Sequence, residues 1–140
     1  MLTSSTNMVP MSSISNERLQ AGAFIYVDPY VESFLRKQGT TTEAASVDVF
    51  TPSAFASLTE VRREIEGAEL APASAAHLAE LALNDPNLTN VAALEPIFHH
   101  DEYGPQILMV LLRGTGRALV LEPLPERWPA KIRVLVRARS

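Results

Sequence analysis

Gln106-Ile107-Leu108-Met109-Val110-Leu111-Leu112-Arg113-Gly114-Thr115-Gly116-Arg117-Ala118-Leu119-Val120-Leu121-Glu122 is the stretch on which the reading of this chain turns. Ile107 to Leu112 run without a polar break, and a second apolar run follows from Ala118 to Leu121. A strand with one wet face alternates apolar and polar residues, so an unbroken run fits a strand covered on both faces. Gly114 and Gly116 supply the backbone freedom of a short hairpin loop and argue against one continuous buried helix. Arg113 and Arg117 flank that loop, where their charges can stay in water. The stretch reads as a central β-hairpin against which the rest of the chain must pack.

Working back from the hairpin, the chain shows strand and helix signals in alternation. Ala23 to Val27 is β-branched and aromatic and reads as a strand, as does the shorter Ser46 to Phe50. Asp28-Pro29 is a helix start that predicts a helix to about Gln38, with Gly39 as its stop. Val31, Phe34 and Leu35 form its buried face. Thr51-Pro52 repeats the device and predicts a helix from Pro52 to Glu66, burying Phe55, Leu58, Val61 and Ile65, with Gly67 as its end. The paired strand-to-helix steps suggest a β-α-β unit. Arg62-Arg63 among Glu60, Glu64 and Glu66 reads as that helix's solvated face.

Leu70-Ala71-Pro72 reads as a loop, and Ser74 as the cap of a helix through Leu83 whose alanines allow close packing. A short helix from Leu88 to Leu94, ended by Pro96, is expected next. Beyond the hairpin, three prolines stiffen residues 123–129. Ala130 to Arg139 then alternates, with Ile132, Val134, Val136 and Ala138 on one side and Lys131, Arg133, Arg137 and Arg139 on the other. Residues 1–14, rich in Ser, Thr, Asn and Met, carry no period and are expected to form a disordered tail.

These elements predict one globular α+β domain over residues 15–140. Its sheet, mixed or antiparallel, would hold about five strands (23–27, 46–50, 106–113, 117–122 and 130–139), with three to four helices over one face. The apolar run at 107–112 needs cover on the second face too, from helices or from a second copy in a homodimer.

With 140 residues and 46% hydrophobic content the chain has the composition of a folded domain. It contains no cysteine, which excludes disulfides and thiolate chemistry and suits a cytoplasmic protein. No apolar run approaches the roughly 20 residues of a membrane-spanning helix, and no secretory signal pattern opens the chain. The net charge of −4 is uneven: residues 1–100 carry twelve acids and five bases, whereas residues 101–140 carry four acids and seven bases.

Three function classes follow. No catalytic constellation stands out, which favours a small non-catalytic regulatory or adaptor protein acting through protein contacts, without cofactor or metal. Trp128, the single tryptophan, is a candidate interface anchor or, alternatively, a lid on the core beneath its loop. The second class is a nucleic-acid or polyanion binder. Lys131, Arg133, Arg137 and Arg139 would share one strand face, where alternate residues stand about 6.6–6.8 Å apart and only Leu135 interrupts the row, a template for phosphates, with Arg113 and Arg117 in support. No aromatic residue stands among them to stack bases. The third class is a hydrolase or metal-dependent enzyme using His99, His100 and Asp101. Adjacent histidines on a strand point to opposite sides, so the spacing serves a shared ion poorly, and a polar turn is the simpler reading.

Overall fold

The computed structural model describes residues 7–9, 16–21, 24–37 and 45–139. In chain order they form strand β1 (Asn7–Val9), helix α1 (Asn16–Leu19), β2 (Tyr26–Val27), α2 (Val31–Lys37), β3 (Ala45–Phe50), α3 (Leu58–Gly67), β4 (Leu70–Pro72), α4 (Ala75–Asn84), β5 (Val91–His100), β6 (Gly104–Arg113), β7 (Gly116–Pro123) and β8 (Arg133–Ala138). The architecture is a single α+β domain on one mixed sheet, ordered β1-β3-β8-β5-β6-β7-β2, with β4 also paired to β8.

The hairpin is where the sequence puts it. β6 and β7 pair antiparallel from Gln106↔Pro123 to Arg113↔Gly116. Gly114 takes a positive φ of 58° in the two-residue loop. Gly116 is needed for space instead: a Cβ there would overlap the Ile25 Cγ2.

Both sheet faces are covered by this chain. On the first face α1, α2 and α4 contribute Leu19, Val31, Phe34, Leu35, Leu78 and Leu81, packed on Val91, Leu108, Leu119 and Leu135. On the second face Val61 and Ile65 of α3 join Trp128 over Ile107, Met109, Val120 and Val134. Of the two expected sources of cover for the second face, the chain's own helix α3 supplies it, with Trp128, and that cover does not call for a second copy. The apolar run at 107–111 faces two cores alternately, which is why it shows no polar period.

Several element readings change. Leu88 to Leu94 is not a helix, because Val91 to Leu94 open strand β5 and are all fully buried. A short alanine-containing apolar run is compatible with a buried helix or a two-sided strand, and periodicity cannot separate them. Leu70 to Pro72 is strand β4 rather than loop. The second Pro-led helix begins at Leu58, not at Pro52. Ser57 forms a capping box with Glu60, accepting from the Glu60 N–H at 3.2 Å while Glu60 accepts from the Ser57 N–H at 2.9 Å. Phe55, expected in the core, sits in the preceding loop, exposed and at φ 64°. Its N–H donates to the Trp128 carbonyl.

The suggested β-α-β unit does not form: β2 pairs parallel with β7 at one edge, whereas β3 lies between β1 and β8. Of residues 1–14, Asn7 to Val9 pair with β3, and the other positions lie outside the described residues, as does Gly39.

Side-chain clamps then lock the helices. Ser74 caps α4 as expected, accepting from the His77 N–H. Arg18 reaches from α1 to the buried Glu80 of α4 with two bonds, at 2.8 and 3.0 Å. That hydrogen-bonded carboxylate raises the Arg18 pKa, against a lowering by burial.

Candidate functional site

The basic strand is an interior strand. β3 takes one edge of β8 from Val134 to Arg137, and β5 and β4 share the other. Val134, Leu135 and Val136 are buried, so Leu135 interrupts the cationic row where a continuous one would be needed. Arg133 donates to the Thr89 carbonyl at 3.2 Å, and Arg139 to the Glu66 carbonyl at 3.5 Å. Arg137 is half-buried and donates to the Ala138 carbonyl, while Lys131 is exposed and precedes the strand.

Arg113 and Arg117, matched in sequence, part company. Arg113 is exposed and pairs with Glu122 across the hairpin at 2.8 Å. Arg117, expected in water, is only 6% exposed. Its guanidinium donates to the carbonyls of Ala82, Asp85 and Leu88 at 2.9–3.0 Å and lies over the Phe24 ring. It closes the C-terminal end of α4, where orphan carbonyls collect. Burial pushes its pKa down, while the Asp85 carboxylate pulls it up. Beside it, a cleft of about 370 Å³ is lined by Phe24, Ile25, Leu112 and Thr115.

Trp128 is a core residue, 1% exposed, with its indole N–H donating to the Ile132 carbonyl at 2.6 Å. The loop is tied down at the same point: the Trp128 N–H donates to the Ala56 carbonyl.

The other end of β6 gathers the aromatic residues. β5 slips in register between Ala93 and Phe98. Before the slip Ala93 faces the first core and Leu94 the second; after it Ile97 faces the second and Phe98 the first. Five residues of β5 span the step that two residues of β6 take, and this odd offset changes which positions share a face and aims Phe98 and His100 toward α2. The Phe98 ring meets Phe34 at 5.4 Å and Tyr30 at 6.0 Å. His100 meets Tyr30 edge-on at 5.3 Å and Tyr103 at 4.7 Å. His100 is fixed in its own right, since its Nδ1 accepts the N–H groups of Glu102 and Tyr103 at 3.0 and 3.1 Å. Tyr30 is held where Asp28 accepts its N–H at 2.9 Å, just ahead of α2.

The result is a ledge of ordered rings whose outer members, Tyr30 and Tyr103, remain 52% and 66% exposed. His99 is exposed, and Asp101 lies in the exposed turn with Glu102. Among the described residues no three His, Cys, Asp or Glu side chains gather where they could hold one metal ion. The sequence points to His100 only for acid–base or metal chemistry, with Tyr103 in the same run, and does not point to Tyr30 or Phe98. Tyr103 had a signal, two places beyond Asp101 in the same turn. Tyr30 and Phe98 had none, because helix docking and a bulge bring them there.

Comparison with known protein families, with curated proteins and with solved structures finds no match.

Proposed function

We propose that this protein is a small non-catalytic adaptor or regulatory protein that works by contacting another protein, with the Tyr30–His100–Tyr103 ledge as its contact surface. The observation that carries this reading is the pair of tyrosines kept more than half exposed while seated on ordered rings beneath. Rigid, amphipathic rings present large contact area at little cost in side-chain entropy, and Tyr is enriched at the energetic centres of interfaces. The ledge offers groups for recognition: two aromatic surfaces, two phenol hydroxyls and the carboxylates of Asp101 and Glu102. His100 already commits its Nδ1 to the turn. The polyanion reading is less favoured, because Arg133 and Arg139 already donate to carbonyls of this chain.

A photoreactive benzoylphenylalanine placed at position 103, with a control at exposed Arg63 of α3, tests the reading in extracts of the source cells. The expected result is one crosslinked product specific to position 103. It is competed by excess unlabelled protein and not by a Tyr30→Ala, Tyr103→Ala variant. Equal labelling from position 63, or competition by the variant, overturns it.

A further inference from the structure

The chemistry of the ledge narrows the partner further, and this step rests on the contact reading above. We propose that the ledge takes a cationic side chain, arginine ahead of lysine, from an extended basic segment of the partner protein. Three features point the same way.

The first is the rings. Tyr30 and His100 stand at 87° to one another, and Tyr103 lies at 33° to His100, so aromatic surface is offered in more than one orientation. A cation within about 6 Å of an aromatic face is attracted by the ring quadrupole, and guanidinium also stacks on such faces.

The second is charge. Asp101 and Glu102 immediately precede Tyr103 in the exposed turn, and Asp28 stands two residues before Tyr30. Glu32 follows Tyr30 on α2, where it pairs with Arg36. The negative charge at the ledge therefore comes from Asp101, Glu102 and Asp28, since Arg36 balances Glu32. This field attracts a basic segment and repels a phosphate backbone, which argues for protein over nucleic acid as the occupant.

The third is order. Phe98 packs beneath the ledge against Phe34, and two backbone N–H groups fix the His100 ring. Little freedom remains to be lost when a cation arrives.

The experiment uses the full-length protein and a fluorescein-labelled alternating Gly-Arg dodecapeptide, read by anisotropy and by amide chemical shifts in ¹⁵N-labelled protein. Alternating Gly-Lys and Gly-citrulline peptides and an oligo-thymidine stand beside it. The expected result is binding in the order arginine, lysine, citrulline, with shifts centred on Tyr30 and His100 to Tyr103. Tyr30→Ala, Tyr103→Ala weakens arginine-peptide binding about tenfold, whereas Tyr30→Phe, Tyr103→Phe retains it within about threefold, since phenyl keeps the π face. Asp101→Asn, Glu102→Gln weakens binding and flattens its salt dependence. The inference is overturned if the citrulline peptide or the oligonucleotide binds as well as the arginine peptide. It is overturned equally if the alanine double variant binds like the native protein. Should position-103 crosslinking succeed while the arginine peptide fails, only this inference falls; should both fail, the contact reading falls with it.

Discussion

Strand β6 begins at Gly104 in one turn and ends at Arg113 in another, and the two ends dispose of their polar side chains in opposite ways. At the Arg113 end, Arg117 turns inward, and three carbonyls at and beyond the end of α4 take its guanidinium. At the Gly104 end, the His100 ring is equally well held, but its neighbours Tyr30 and Tyr103 keep their outer surface in water. Both ends are ordered by hydrogen bonds to backbone; only one leaves the ordered groups accessible. Order directed inward stabilises the fold, whereas order that leaves a surface exposed is what a binding site requires.

Removing Arg117 should break the comparison at its structural end and give the largest effect. Arg117→Met leaves buried carbonyls without their donor, a loss of about 3 kcal/mol in unfolding free energy by urea titration. Arg117→Lys should recover only part of this, because an ammonium cannot reproduce the planar fork that reaches three carbonyls. A native-like midpoint in both variants would show that the clamp contributes little.

Gly116→Ala, next to the same arginine, should cost about 2 kcal/mol, because the new Cβ overlaps the Ile25 Cγ2 and pushes the β2 edge from β7. The measurement is a double-mutant cycle with Ile25→Ala. Strict additivity of the two changes would show that the steric contact is not the cause.

The ledge end should respond to which part of His100 is removed. His100→Ala removes the acceptor of two backbone N–H groups and should cost about 1 kcal/mol. His100→Asn keeps an acceptor near the Nδ1 position, as Asx turns do, and should restore most of that stability without restoring the ring. If Asn and Ala destabilise equally in thermal unfolding, the ring packing rather than the turn bond holds this end.

The smallest effect is expected on α3, away from both turns, and it is read by pH. The Ser57 N–H, followed by its hydroxyl, stabilises the Glu60 carboxylate and lowers its pKa. A carboxylate with a lowered folded-state pKa contributes stability above its unfolded value and loses it as pH falls through the folded one. The stability of the native protein relative to Glu60→Gln should therefore fade as pH drops through and below the ordinary carboxylate range. A difference independent of pH would assign the capping box to the amide-compatible bond alone.

Much of the scaffold is legible in the chain. The β6–β7 hairpin, the Ser74 cap and the buried stripe of Val31, Phe34 and Leu35 follow from turn chemistry and spacing, both of which act over a few residues. The α+β class follows from those elements together. What the chain does not show locally is where an arginine's charge ends up. Arg113 and Arg117 look alike in sequence, and their difference depends on a helix end 29 to 35 residues earlier. The ledge depends on the fold still more. A register slip in β5 between Ala93 and Phe98 turns Phe98 and His100 toward α2, and the docking of α2 supplies Tyr30. The sequence by itself determined the hairpin, the Ser74 cap and the acidic turn, because each is encoded by neighbours. Only the tertiary structure decided which rings meet and which charges are buried, because those contacts join segments that approach one another only after the sheet has formed.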